Sequence, residues 1–268
     1  MRQEYRHTNT KSAAKKPLTT SWGDVADWYD DYLEKTADSY QERVIAPNLL
    51  RVLALKKGDR LLDIGCGQGF FTRKFADAGA VVTGADISPE LIARARELSP
   101  SLAFHVAPAQ KLSFTKEKSF DFAVSVLAIQ NMRDLQKVFA ETARVLTQHG
   151  RFILVMNHPA FRIPQRSNWG WDESTKTQYR RLDGYLSEST VPILAHPGAK
   201  KSEVTLSYHH SLQDIFKALN RAGFAVTRLE EWISHKKSGK GARQAAEDTA
   251  RKEFPLFLML EMRKGSVA

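Results

Sequence analysis

The distribution of apolar residues divides the chain into stretches of different rhythm. From Trp22 the pattern is helical: Val25, Trp28, Tyr29 and Tyr32 recur at spacings of three and four, then Val44, Leu49, Leu50 and Leu53 mark a second amphipathic segment. N-terminal helices are therefore expected within 22–54. At Arg60 the pattern changes. Arg60–Ile64 is a short apolar run ending in glycines, the mark of a buried strand running into a tight loop. A helix is expected over Phe70–Ala78, a strand over Val81–Asp86, and a helix over Leu91–Leu98 that Ser88 caps and Pro89 opens. Leu102–Val106 and Phe120–Leu127 read as the third and fourth strands. Leu135, Val138, Phe139, Val145 and Leu146 form one helical stripe, with Thr142 its hydroxyl-bearing member, closed by His149 and Gly150. Arg151–Asn157 reads as the fifth strand.

Alternation of strand and helix over so long a stretch predicts an α/β fold, a doubly wound and mostly parallel sheet with helices on both faces. At Asn157 the rhythm breaks. Residues 158–207 are rich in Pro, Trp, Ser, Arg and Tyr with weak periodicity, and are expected to form a cap insertion after the fifth strand; loops that long carry function or structure of their own. The rhythm returns with Ser211 as N-cap before Leu212, Ile215, Phe216 and Leu219. Gly223 closes that helix. Phe224–Ile233 and Phe254–Met262 read as the sixth and seventh strands, joined by a polar, basic stretch, His235–Arg251. One domain is expected over 19–264, behind a disordered basic arm, 1–18.

Composition supports a packed core: the chain has 268 residues, 42% hydrophobic and 10% aromatic. No apolar run approaches the roughly 18 residues of a membrane span, and Met1–Leu18 lacks the apolar segment of a secretory signal, so a cytoplasmic protein is expected. The single cysteine, Cys66, excludes an internal disulfide and a cysteine-based zinc site. A net charge of +10 invites a nucleic-acid partner. Its distribution argues against one, because residues 1–18 and 235–268 each hold +4 and the body keeps only +2.

The chemistry concentrates in Leu61-Leu62-Asp63-Ile64-Gly65-Cys66-Gly67-Gln68-Gly69. An aspartate ends a buried strand, and glycines follow at alternate positions, where a backbone must turn sharply or approach a ligand without a Cβ in the way. The spacing differs from the GxGxxG loop that receives a pyrophosphate, which disfavours a nicotinamide oxidoreductase. S-adenosylmethionine (SAM) carries an ammonium in place of a phosphate, and Asp63 is placed to orient it. Asp86 ends the next strand, where a carboxylate can accept hydrogen bonds from both hydroxyls of an adenosine ribose; the plainer reading is an aspartate supporting the Ser88 cap.

Asp63–Gly69 with Asp86, followed by Phe120-Asp121-Phe122-Ala123-Val124, resembles the class I SAM-dependent methyltransferases of the ubiquinone/menaquinone-biosynthesis type, the group called methyltransferase type 11. The resemblance runs over roughly residues 20–264 and implies a Rossmann-like seven-stranded sheet of order 3-2-1-4-5-7-6 with the last strand antiparallel. It implies that Gly65, Cys66 and Gly67, in the loop that Gly69 completes, touch the methionine portion. It further implies that Asp86 holds the ribose, Ile87 packs on adenine, and Leu127 lines the sulfonium end. One departure stands out: the acidic residue that usually reads adenine is replaced in Ala107-Pro108-Ala109-Gln110, leaving that task to the Ala109 N–H and the Gln110 side chain. Trp28-Tyr29-Asp30 resembles the aromatic segment that closes over SAM, with Tyr29 as the contact and Tyr40 and Arg43 assisting; a plain amphipathic helix covering the sheet is the alternative.

Methyl transfer from a sulfonium is an in-line displacement, and an oxygen or nitrogen acceptor can also need a base. The candidates are His158, directly after the fifth strand, and His209 in Tyr208-His209-His210 at the far end of the insert; the alternative is a histidine that only shapes the pocket. Both segments are similar to one bacterial subgroup in which His-Pro-x-Phe-Arg leads into an aromatic, arginine-rich cap. Arg162, with Arg166, could bind a substrate carboxylate or phosphate, or pair instead with Asp172 and Glu173. Trp169 and Trp171 are candidates for stacking on a flat substrate, with the cap's own core as the alternative, and Tyr208 is a further substrate-binding candidate. The tandem histidines point in different directions along a strand, so no metal site is expected. The expected function is methyl transfer from SAM to an O, N or C atom of a small-molecule acceptor. The alternatives are an RNA or protein methyltransferase, or a SAM-binding protein without transferase activity. Leu127-Ala128-Ile129-Gln130-Asn131 lacks the Asn/Asp-Pro-Pro-aromatic motif of enzymes acting on base amines, which disfavours nucleic acid.

Overall fold

The computed structural model describes residues 38–194 and 204–265. The basic arm, the helix containing Trp28 and the predicted contact Tyr29 lie outside the described residues. A π-helical turn, Gln41–Ile45, leads into α1 (Ala46–Leu53), followed by β1 (Arg60–Ile64), α2 (Phe70–Asp77), β2 (Val81–Asp86), α3 (Pro89–Leu98), β3 (Ala103–Val106) and β4 (Phe120–Val126). A 3-10 turn, Ile129–Asn131, precedes α4 (Leu135–Val145) and β5 (Leu146–Asn157). Two hairpins follow, β6 (Ser167–Asp172) with β7 (Thr177–Leu182) and β8 (Ser189–Leu194) with β9 (Val204–His209). The chain then makes α5 (Leu212–Arg221), β10 (Phe224–Trp232), α6 (Gln244–Glu253) and β11 (Phe257–Lys264).

The main sheet has the order β10-β11-β5-β4-β1-β2-β3, which is the expected 3-2-1-4-5-7-6 with β10 and β11 as its sixth and seventh strands. Pairings from β3 to β5 are parallel; β11 runs antiparallel to both β5 and β10. Alternating side chains feed two cores. Leu62, Ile64, Phe152, Leu154 and Leu260 pack on α4 and α5 through Val138, Phe139 and Leu219. On the opposite face Leu61, Val124, Val126, Ile153, Val155 and Met259 pack on α1 and α2 through Leu49, Leu53 and Phe75.

Local chemistry sets the element ends. The Ser88 Oγ accepts from the Leu91 N–H at 3.2 Å, and Ser211 and Asp214 form a reciprocal capping box, each cap worth about 1 kcal/mol. Two sequence expectations are corrected. The helix ends at Val145 rather than at Gly150, and β5 starts at Leu146; its register with β4 jumps from Phe120–Leu146 to Phe122–Arg151, so residues 147–150 bulge out of the ladder. The last strand begins at Phe257 instead of Phe254, because residues 244–253 of the supposed polar connector form α6. The stretch 158–207 does carry structure of its own, two antiparallel hairpins of which the second runs on to His209. Among the described residues no helix is long and apolar enough to cross a membrane.

Candidate functional site

Parallel register decides what meets at the carboxyl edge of the sheet. Asp63 pairs beside Gly84, and β2 runs on to Asp86, so two carboxylates emerge on adjacent strands. Between them lies the loop 65–69. The Gly65 and Cys66 N–H groups both donate to the Ala85 carbonyl, at 2.7 and 3.1 Å. Asp86 braces the loop from the other side: its Oδ2 accepts from the Gly67 N–H at 3.0 Å and its Oδ1 from the Ser88 N–H at 2.9 Å. Gly65 and Gly67 are both left-handed, at φ +73° and +55°. A Cβ on Gly65 would lie 2.5 Å from the Ala128 Cβ, whereas one on Gly67 would meet no protein atom within 4 Å.

Asp63 is only 2% exposed and accepts from the Thr72 hydroxyl at 2.6 Å. Burial pushes its carboxyl up to about 7 despite that hydrogen bond. Burial also raises Asp86, with the Ser88 and Gly67 amides pulling the other way. The Cys66 thiol is pushed well up by burial and then by the two aspartates, so it stays protonated and unreactive.

These groups line two adjoining clefts. The first, about 710 Å³, is lined by Asp63, Gly65, Cys66, Gly67, Asp86, Leu127 and Asn131. The second, about 730 Å³, shares Gly65, Asp86 and Asn131 and adds Ile87, Ala109, Gln110 and Tyr208. Ile87 leaves 57% of its surface open there. Leu127 holds a left-handed φ of +52° just past β4, its N–H donating to the Val155 carbonyl at 2.8 Å; a branched aliphatic residue in that region signals a constrained turn at a site.

Residues 62–154 match the family model described as a methyltransferase domain. The chain is similar to a solved SAM-dependent methyltransferase from Mesorhizobium loti, with 29% identity and a TM-score of 0.63, covering 81% of this chain and 96% of that one. Residues 62–154 thus carry a methyltransferase-domain pattern, on a fold like that of a solved SAM-dependent methyltransferase. Among curated relatives, it is 32% identical over 169 residues to the biotin biosynthesis bifunctional protein BioHC of Cellvibrio japonicus, covering 62% of this chain and 32% of that protein. It is 34% identical over 113 residues to a demethylmenaquinone methyltransferase of Tropheryma whipplei, covering 41% and 46%. The match thus spans from a third to under half of these relatives' length.

The two clefts fit SAM. The buried Asp63 carboxylate suits its ammonium, the part-buried Asp86 its ribose hydroxyls, and the open Ile87 its adenine. The Oδ1 atom of Asn131, which lines both clefts, is buried and has no hydrogen-bond partner among the described residues, an acceptor awaiting a donor. Every predicted cofactor residue from Asp63 to Leu127 lines one of these clefts except Gly69, which caps α2 with φ +84° behind the loop.

Of the catalytic and substrate candidates, only Tyr208 lines either of these clefts. His158 is buried, and burial lowers its pKa against the raising effect of Glu231. Its Nε2 meets Glu231 Oε1 at 2.9 Å, and its Nδ1 accepts from the Ala160 and Phe161 N–H groups at 3.2 and 3.3 Å. Both ring nitrogens are engaged, so the ring fastens the turn after β5 to β10 and has no free lone pair for a substrate proton. His209 donates from Nε2 to the Tyr185 carbonyl at 2.7 Å, which leaves Nδ1 as the basic nitrogen. A third cleft of about 450 Å³ gathers Arg162, Tyr208 and His209 with Gln130 and Asn157. Trp169 lines none of the three clefts; it packs edge-on to Phe254 on the outer hairpin, with Arg180 over its ring. Tyr40 hydrogen-bonds Ser234 and packs on Phe257, and Arg43 is exposed on the π-helical turn. Sequence reasoning missed Thr72, Asn131, Gln130 and Asn157. The amides of Gln130, Asn131 and Asn157, at or just past strand ends, were the one hint, and Thr72, inside a helix, gave none.

Proposed function

We propose that the chain transfers a methyl group from SAM to an O, N or C atom of a small-molecule acceptor. The observation that carries the reading is the pair Asp63 and Asp86, at the ends of neighbouring strands on either side of a glycine loop, both lining the first cleft. SAM supplies, when bound, an electrophilic methyl on a sulfonium. The protein's share is alignment: Asp63 pairs with the ammonium, Asp86 accepts from the ribose hydroxyls, Ile87 covers the adenine face, the Ala109 N–H and Gln110 read its edge, and Leu127 borders the sulfonium. Held in line, the reactants gain the advantage of a unimolecular step. Of the two histidines, His209 keeps a nitrogen for the acceptor's proton and is the base; Arg162 and Tyr208 contact the acceptor.

A small acceptor is favoured by the third cleft, which lies between β9, the 3-10 turn and the chain following β5, and by the relative named for demethylmenaquinone. The reaction belongs in the cytoplasm on this reading, and SAM is the required cofactor. Calorimetric titration with SAM and S-adenosylhomocysteine (SAH) is the test, with Asp86→Ala alongside. Micromolar binding lost in the variant supports the reading; a wild-type protein that binds neither compound ends it.

A further inference from the structure

The third cleft has an unusual charge inventory. None of its lining residues is an aspartate or glutamate. Arg162 is its one permanent cation, and the Arg162 guanidinium makes no hydrogen bond or ion pair with any described residue. Its neighbour does not share that freedom. Arg180 donates to the Phe161 carbonyl at 2.9 Å and to the Ser167 hydroxyl at 2.8 Å, and lies over Trp169. Burial, and then the positive charge of Arg162, lower the Arg180 pKa, so two guanidinium groups stand near each other. Arg162 is exposed where it lines this cleft, and an unpaired guanidinium beside a cleft without acids can grip an anion through two parallel N–H bonds.

A second, independent observation also points to a ligand. Gln130 lines the same cleft, and its Nε2 donates to the Leu127 carbonyl at 2.7 Å. Its Oε1 is buried and without a partner among the described residues. A buried amide oxygen in that state wants an N–H or O–H. The Leu127 bond fixes which end of the amide faces the cavity.

We infer that the methyl acceptor is a small organic anion whose carboxylate or phosphate pairs with Arg162 and whose N–H or O–H is donated to Gln130. This rests on the small-molecule reading above. It adds the acceptor's charge and the placing of that charge. The third cleft meets the second at Tyr208 and shares no residue with the first. The anion is therefore a handle held away from the glycine loop, not the atom that receives the methyl group. The product keeps its negative charge and is no ester of that carboxylate.

The test uses the full chain saturated with SAH, titrated calorimetrically with p-hydroxybenzoate, phenyl phosphate and the neutral p-hydroxybenzamide. At least one anion is expected to bind about tenfold tighter than the amide, the scale of a charge-assisted pair, and the tighter of the two identifies carboxylate or phosphate. Arg162→Gln is expected to erase the preference, Arg162→Lys to keep part of it, and both to bind SAH like the wild type, which shows that they fold. Equal binding of amide and anions, binding of none of them, or a preference that survives in Arg162→Gln overturns the inference. Anion binding by a protein that does not bind SAH would keep the anion site and sink the methyl-transfer reading.

Discussion

A methyl group added at Gly65 and one added at Gly67 meet different neighbours, although both residues are left-handed. In Gly65→Ala the new Cβ collides with Ala128 at 2.5 Å, so the loop must shift and both clefts deform. Gly67→Ala meets no protein and bears only the left-handed backbone penalty of about 1 kcal/mol, but its methyl projects into the cleft. The expected result is a protein that melts within a few degrees of wild type and binds SAH at least about tenfold more weakly. Gly65→Ala should lose both stability and binding. Differential scanning fluorimetry beside calorimetry separates the two. Asp63 makes a pH prediction. Its carboxyl is raised to about 7, so the empty protein loses stability as pH climbs from the ordinary carboxyl range through about 7, because the unfolded chain ionises freely and the buried group does not. Asp63→Asn should flatten that slope in urea titrations. Cofactor binding has the opposite sign: an ammonium needs the carboxylate, so SAH affinity should fall below about pH 7, with protons released on binding. Buffers of different ionisation enthalpy would reveal the release, and an affinity flat across that range would rule the pairing out. Asp63 and Asp86 were legible because each ends an apolar run before a turn. Thr72 was not. It sits inside an ordinary helix, and only the packing of α2 back over β1 brings its hydroxyl to Asp63.

Elements differ in how strongly they declare themselves. The central strands β1, β4, β5 and β11 are largely buried on both faces and therefore read as apolar runs of the right length, whereas the edge strands β3 and β10 are mostly open on at least one face. Helix α6 is Gln244–Glu253, with alanines as its only apolar residues and Ala250 alone buried, so periodicity had nothing to act on. The hairpins stand outside the main sheet, where alternation is not enforced by two buried faces. The most consequential contact between elements was also unreadable. Arg151 on β5 donates through Nε to Glu261 Oε1 on β11 at 2.8 Å and through its Nη atoms to the carbonyls of Leu53 and Val52, at 3.0 and 2.8 Å, closing the end of α1. Three elements distant in sequence thus share one guanidinium. Arg151→Leu leaves Glu261, 5% exposed, with only the longer contact to Arg263 at 3.8 Å, and a loss of about 3 kcal/mol is expected, with much of it returned in the double variant Arg151→Leu, Glu261→Leu. Urea denaturation of the two proteins measures the difference. A single variant as stable as the wild type would show the bridge to be ornamental.

At the scale of the whole molecule, the cofactor clefts and the outer hairpin are separate modules. No residue of β6 or β7 lines any of the three clefts, and Ser167 pairs directly with Leu182 at the hairpin base. Replacing residues 168–181 with a short Gly-Ser turn should therefore leave SAH affinity within about twofold of wild type, as distant sites act independently. Acceptor binding should weaken, because Arg180 no longer holds the Phe161 carbonyl beside Arg162. Loss of SAH binding in that variant would mean that the hairpin supports the glycine loop after all. The sheet order has a further consequence during synthesis. β11 lies between β5 and β10, so it fills a gap flanked by strands translated before it. While the ribosome is still making residues 257–264, β5 has a bare edge, β10 has no neighbour, and the apolar face that Leu260 and Met259 will cover is open to water. A nascent chain stalled before Phe257 should be cut readily by protease and held by chaperones, and one released with β11 outside the exit tunnel should resist both.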